Sequence, residues 1–218
     1  MPACRPVSPA KSEGVCHVRR RSHPDLCHLR DGRLHGPIQR RPLPADDEEG
    51  ILTADDKVEL LENYVVLKMP RNPPHDGTLQ FISKRLLRHL TAGWDTRVRM
   101  AVVLPDSVPE PDVAVTRGDE AAYLTRHPTA TDCALVIEVA DSSLLRAQRD
   151  KTRIYARAGI PQYWIVNLPD RRVEVYSNPT GPVTVPQYRA FATFQPGDIL
   201  PLSLDSASVS VPVTDLLP

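Results

Sequence analysis

Residues 133–168 read CALVIEVADSSLLRAQRDKTRIYARAGIPQYWIVNL, and this stretch decides the fold. Its opening run, CALVIEVA at 133–140, is short and almost continuously apolar, the mark of a strand covered on both faces. SSLLRAQRDKTRIYARAG at 142–159 then repeats apolar residues at helical spacing, with Ser142 or Ser143 as N-cap and Gly159 as the stop. QYWIVNL at 162–168 is a second strand. Two residues break the apolar pattern. Glu138 interrupts the strand, and a buried carboxylate needs a cation or hydrogen-bond donors beside it. On the helix the inward stripe runs Leu144, Ala147, Lys151, Ile154, Tyr155 and Ala158, so Lys151 points at the sheet. Lys151 lies about 12 Å along the helix and Glu138 about 10 Å back from the strand end. A helix folding back over its strand therefore brings the amine over the acid.

Working upstream, PDVAVT at 111–116 is a strand, and Asp112 follows Pro111, which cannot donate to a ladder. Asp112 thus sits at a strand start, where a side chain reaches a cleft. RVRMAVVL at 97–104 reads as a further strand. Leu79, Ile82, Leu86 and Leu90 recur at three and four, predicting an amphipathic helix over 78–92 capped by Asp76, after a loop RNPPHDG at 71–77. KVELLENYVVLKM at 57–69 reads as a helical turn or extended piece leading into a strand. Downstream, PDR turns QYWIVNL into RRVEVYS at 171–177, whose alternating charge reads as one solvated face, and YRAFATF at 188–194 alternates again.

The 218 residues, 41 % apolar, provide one ordinary domain and a tail. Residues 1–49 are Arg-, Pro- and His-rich without an apolar period and are predicted to be a disordered tail, ending in the acidic linker ADDEEG at 45–50; residues 50–218 form the domain. Three of the four cysteines fall in that tail, and Cys16-His17 and Cys27-His28 lack the tight spacing of a zinc site. Cys133 reads as a small buried residue. With no apolar run of membrane-spanning length and no secretory h-region, a soluble cytoplasmic protein is expected. The formal net charge of zero argues against a strongly basic nucleic-acid coat protein but leaves a nuclease open.

Two carboxylates on adjacent strands suit a hard cation such as Mg²⁺ or Mn²⁺, with the Val139 carbonyl as a third metal ligand. Such a cation offsets charge on a phosphodiester and lowers the pKa of bound water, and Lys151 supplies a fixed positive charge. Asp112, Glu138 and Lys151 are therefore the candidate catalytic core.

PEPDVAV at 109–115, LVIEVADSSL at 135–144, DKTRIYARAGIPQYWIVNL at 150–168 and VELLENYVVLKMPRNPPHD at 58–76 together resemble the Uma-two family of the PD-(D/E)XK restriction endonuclease-like superfamily. The resemblance spans from about residue 51 to the C-terminus. It implies an α/β fold: an αβββαβ core with a central mixed sheet flanked by helices, extra C-terminal strands and, here, the N-terminal tail. It implies that Asp112 is the PD aspartate and Glu138 the acid of the third strand. The lysine has moved from the strand, where Ala140 stands, to Lys151 on the helix. Glu59 matches the family's early glutamate, a further metal or water ligand. Asn63, Arg99 and Ala147 depart from the family's frequent glycine, glutamine and aspartate.

The resemblance implies a Mg²⁺-dependent DNA endonuclease, and cutting both strands favours a homodimer. The competing reading is a catalytically inactive nuclease-fold module binding nucleic acid or a protein partner, for which Arg99 and Ala147 speak. Taken singly, Glu138 has an alternative reading as a structural buried acid, Lys151 as a snorkelling side chain, and Glu59 as a solvated neighbour of Asp55, Asp56 and Glu62. His75, after two prolines, reads as a loop or capping residue. Tyr163 and Trp164 read as core.

Overall fold

The computed structural model describes residues 28–30, 33–35, 57–68, 73–141 and 144–218. In chain order the strands are β1 (His28–Arg30), β2 (Arg33–His35), β3 (Val58–Leu61), β4 (Tyr64–Leu67), β5 (Trp94–Val98), β6 (Val113–Arg117), β7 (Cys133–Ala140), β8 (Gln162–Asn167), β9 (Arg172–Pro179), β10 (Tyr188–Phe194), β11 (Ile199–Leu204) and β12 (Ala207–Pro212). The helices are α1 (Pro73–Leu86), α2 (Leu144–Arg146) and α3 (Thr152–Ala158), with a π-helical turn, Ala147–Lys151, joining the last two. Six strands form one sheet in the order β10-β9-β8-β7-β6-β5. Only β7 and β8 run parallel, and the α2–α3 segment connects them; every other pair is antiparallel.

The period of two in β7 sorts its side chains between two cores. Leu135, Ile137 and Val139 face α1, whose Leu79, Ile82 and Leu86 pack with Val113, Val115 and the β11–β12 hairpin. Each such side chain contributes about 1.5–3 kcal/mol by leaving water. Val136 and Ala140 face the other side, beneath Ile154 and Tyr155 of α3 and against Leu61 and Val66 of the β3–β4 hairpin. Glu138, alternating with them, faces the same way, toward the helix that carries Lys151.

The expected αβββαβ order with a central mixed sheet is what the structure shows, and its differences have local causes. Of the segment 57–69, residues 58–67 hold a hairpin, not a helical turn. Glu62 and Asn63 link its strands with φ of 50° and 64°, both left-handed, the backbone of a two-residue hairpin turn that asparagine tolerates. The departure from glycine at Asn63 therefore preserves the turn. Helix α1 starts earlier than expected, at Pro73, because prolines preset φ for a first turn. Asp76 consequently lies inside that turn and is not the N-cap. The strand expected over 97–104 is β5, Trp94–Val98, which stops where Arg99 turns left-handed at φ 53°. RRVEVYS has no solvated face at Glu174, which is fully buried.

In the tail, β1 and β2 pair antiparallel, and β2 meets β4 at Arg33–Val66. The remainder of residues 1–49, the ADDEEG linker and the Ser142 or Ser143 cap lie outside the described residues. Gly159 ends α3 at φ 79°, as expected.

Candidate active site

The site lies where the start of β6, the end of β7, α1 and the π turn meet. Asp112 immediately precedes β6, and its side chain extends the ladder that β6 has not yet begun. Its Oδ2 accepts the Val139 N–H at 2.9 Å. The N–H and C=O of one strand residue point to the same side, so the Val139 carbonyl lies on the edge that Asp112 faces. The next carbonyl, of Ala140, turns the other way and accepts the Leu168 N–H at 3.0 Å.

Lys151 is 6 % exposed and stands between two acids. Its Nζ is 2.9 Å from Glu59 Oε2 and 3.3 Å from Glu138 Oε1. Burial alone would depress the ammonium, but Glu138 and Glu59 outweigh it and hold the pKa above the usual lysine value. Glu138 responds oppositely. Burial pushes its pKa up to about 7; Lys151 opposes the shift, while Asp112 and Glu59 add to it. The Tyr155 hydroxyl donates to Glu138 Oε1 at 2.8 Å, and burial holds that phenol well above its ordinary pKa.

The π turn explains how one helix serves both glutamates. In an α-helix residues five apart point about 140° away from each other, whereas an i→i+5 turn brings them onto one side. Arg146 and Lys151 both reach Glu59, at 3.5 Å and 2.9 Å. The Ala147 carbonyl, where the turn opens, accepts the Thr152 N–H, the Thr152 hydroxyl at 3.1 Å and the Tyr163 hydroxyl at 3.1 Å. Ala147 itself is buried, so an aspartate there would bring one more carboxylate into the interior. On the turn's other flank Gln148 donates to Glu174 at 2.8 Å. Glu138, Ile165 and Glu174 stand in one row across β7, β8 and β9. Glu174 also takes bonds from Asn167, Arg172 and Tyr176. With its oxygens saturated, it anchors the π turn to the sheet.

The structure therefore brings Glu59, Glu138 and Lys151 into direct contact and sets Asp112 and Val139 beside them. Sequence reasoning missed His75 as a partner of the site. Its Nε2 is 3.1 Å from Asp112 Oδ2, and this bond holds the imidazole pKa above its usual value against the effect of burial. Arg99 contacts Asp76, and its Nε lies 4.0 Å from Asp112 Oδ1. The Pro-Pro pair fixing the start of α1 was the available signal for His75, since it places that residue in a first turn whose direction is set. Tyr163 and Trp164 are core residues, as expected. Cys133 is buried too, its thiol pushed up to about 12 by burial.

Among the described residues, no group of three or more His, Cys, Asp or Glu side chains is placed to hold a metal ion. The donors at hand are instead two acids and a carbonyl. Glu138 Oε2 and Asp112 Oδ1 accept no hydrogen bond among the described residues, while their companion oxygens do. An all-oxygen set of this kind fits a hard divalent cation.

The αβββαβ order with its central mixed sheet is the one expected of a restriction endonuclease-like protein. The chain belongs to the Uma2 family, described as "Putative restriction endonuclease", whose model matches residues 43–214. A crystal structure of "a putative nuclease belonging to DUF820" from Anabaena variabilis is similar in fold. It shares 14 % identity at a TM-score of 0.61, over 78 % of this chain and 95 % of that one. No curated protein matches the chain. Among the described residues no helix is long and apolar enough to cross a membrane.

Proposed function

We propose that residues 50–218 form a Mg²⁺- or Mn²⁺-dependent DNA endonuclease domain that hydrolyses phosphodiester bonds in the cytoplasm, acting as a homodimer where both strands are cut. The observation that carries this reading is the buried Lys151 ammonium 3.3 Å from Glu138, with Asp112 one strand away. Asp112, Glu138 and the Val139 carbonyl would hold the cation. When bound, it supplies Lewis-acid neutralisation of phosphoryl charge and a lowered pKa for bound water. Lys151, charged at neutral pH and shielded from water, stabilises the negative charge that grows on the phosphoryl oxygens. Glu59 keeps Lys151 in place, and Tyr155 fixes the rotamer of Glu138.

The purified chain is expected to nick or cut DNA with Mg²⁺ or Mn²⁺ and to stop when EDTA is added; cleavage undiminished by EDTA would remove the metal-dependent reading. A second reading, a nuclease fold that only binds nucleic acid or a partner, draws on Arg99 and His75, which already stand beside the Asp112 carboxylate at 4.0 Å and 3.1 Å. On that reading calorimetry records no Mg²⁺ heat dependent on Asp112.

The raised pKa of Glu138 makes the site pH-dependent. A cation must displace the proton, so Mn²⁺ affinity is expected to climb by up to about tenfold per pH unit below about pH 7 and to level off above it. Titrations across this range check the slope. Without metal, folded Glu138 keeps its proton up to about pH 7, while the unfolded chain releases it near the ordinary glutamate value. The Glu138 contribution to stability therefore falls as pH rises through that window.

A further inference from the structure

The two oxygens of Asp112 meet different surroundings. Oδ2 receives the Val139 N–H at 2.9 Å and faces His75 Nε2 at 3.1 Å. Oδ1 has Arg99 Nε at 4.0 Å and no hydrogen bond among the described residues. His75 is largely buried, in the first turn of α1, and its other nitrogen, Nδ1, lies 3.3 Å from an Arg99 amine and 3.5 Å from Asp76 Oδ1. A ring nitrogen touching a carboxylate oxygen at this distance carries the proton, in the neutral and the charged imidazole alike. Whether Arg99 donates to Nδ1 or Nδ1–H donates to Asp76, Nε2–H remains aimed at Asp112.

We propose that His75 is a positioning residue, resting on the metal-site reading above. Its Nε2–H and the Val139 N–H together lock Oδ2 and remove the rotational freedom of the carboxyl group, so that Oδ1 would be the oxygen offered to a cation. Arg99 and Asp76 hold the ring from behind. Arg99 is itself held in place: its backbone is left-handed at φ 53° and its N–H donates to the Asp112 carbonyl at 3.2 Å. Outer partners of this kind are worth about 10- to 100-fold in metal affinity.

Mn²⁺ binding to the full chain, followed by electron paramagnetic resonance, tests the assignment with His75→Leu and His75→Gln. Glutamine can set an amide N–H where Nε2 stands; leucine cannot. His75→Leu is expected to bind Mn²⁺ about tenfold or more weakly, and His75→Gln to recover most of that loss. If the wild type binds Mn²⁺ and His75→Leu binds it equally well, the positioning role is wrong and the metal site stands. If the wild type binds none, both readings fall together. ¹⁵N-histidine NMR of the wild type asks the same question without relying on a variant to fold. A proton on His75 Nε2 is expected, and an unprotonated Nε2 overturns the proposal.

Discussion

Asp112→Asn and Glu138→Gln are expected to lower DNA cleavage by about two to three orders of magnitude while leaving the fold intact. Both substitutions keep shape and remove charge. In Asp112→Asn the side-chain amide oxygen can still accept the Val139 N–H that Asp112 accepts now, and in Glu138→Gln the amide oxygen can still accept the Tyr155 hydroxyl. The lost quantity is a cation ligand and its share of charge stabilisation, worth about 3–4 kcal/mol when one strong electrostatic partner of a transition state is removed. Initial-rate assays with saturating Mn²⁺, beside thermal unfolding, separate the two effects. Wild-type rates in either variant would show that the acids serve the core and not the reaction.

Lys151→Met is expected to act on stability and activity together. Removing the amine leaves Glu59 and Glu138 facing each other in the interior with their main cation gone. Breaking a buried ion pair from one side costs about 3–5 kcal/mol, or on the order of 10 °C in Tm for a chain of this size. Adding Glu59→Gln and Glu138→Gln to Lys151→Met is expected to return much of that stability, since the acids then need no counter-charge. It is not expected to return cleavage. A triple variant as unstable as Lys151→Met would place the cost in lost packing of the lysine stem. A Lys151→Met chain with wild-type cleavage would exclude the helix amine from the chemistry.

Much of this arrangement was legible in the sequence because it follows from two periods. The period of two in CALVIEVA places Glu138 on one face of the sheet, and the helical stripe through Lys151 aims the amine at that face. What periodicity does not encode is the extra residue per turn at Ala147–Lys151. Helical spacing alone puts Ala147, not Arg146, one turn before Lys151, so the Arg146–Glu59 contact could not be read. Glu174 was misread because alternating charge in RRVEVYS resembles a wetted strand. The short PDR turn does fix its register beside Ile165, but its partner Gln148 comes from the irregular helix. His75 escaped because its partner is remote in sequence and proline-rich segments usually read as loops. Arg99, a departure from the family's glutamine, proves to be part of the Asp112 surroundings through contacts that no single sequence displays.

The wide turn in the second helix also bears on how such a site diverges. It amounts to one residue inserted into a regular helix, with the misfit absorbed locally. The segment before it and the segment after it thus behave as two independently dialled gears. Loss of a residue within the turn would rotate Arg146 away from Glu59 yet keep Lys151 and Tyr155, on the downstream gear, meshed with Glu138.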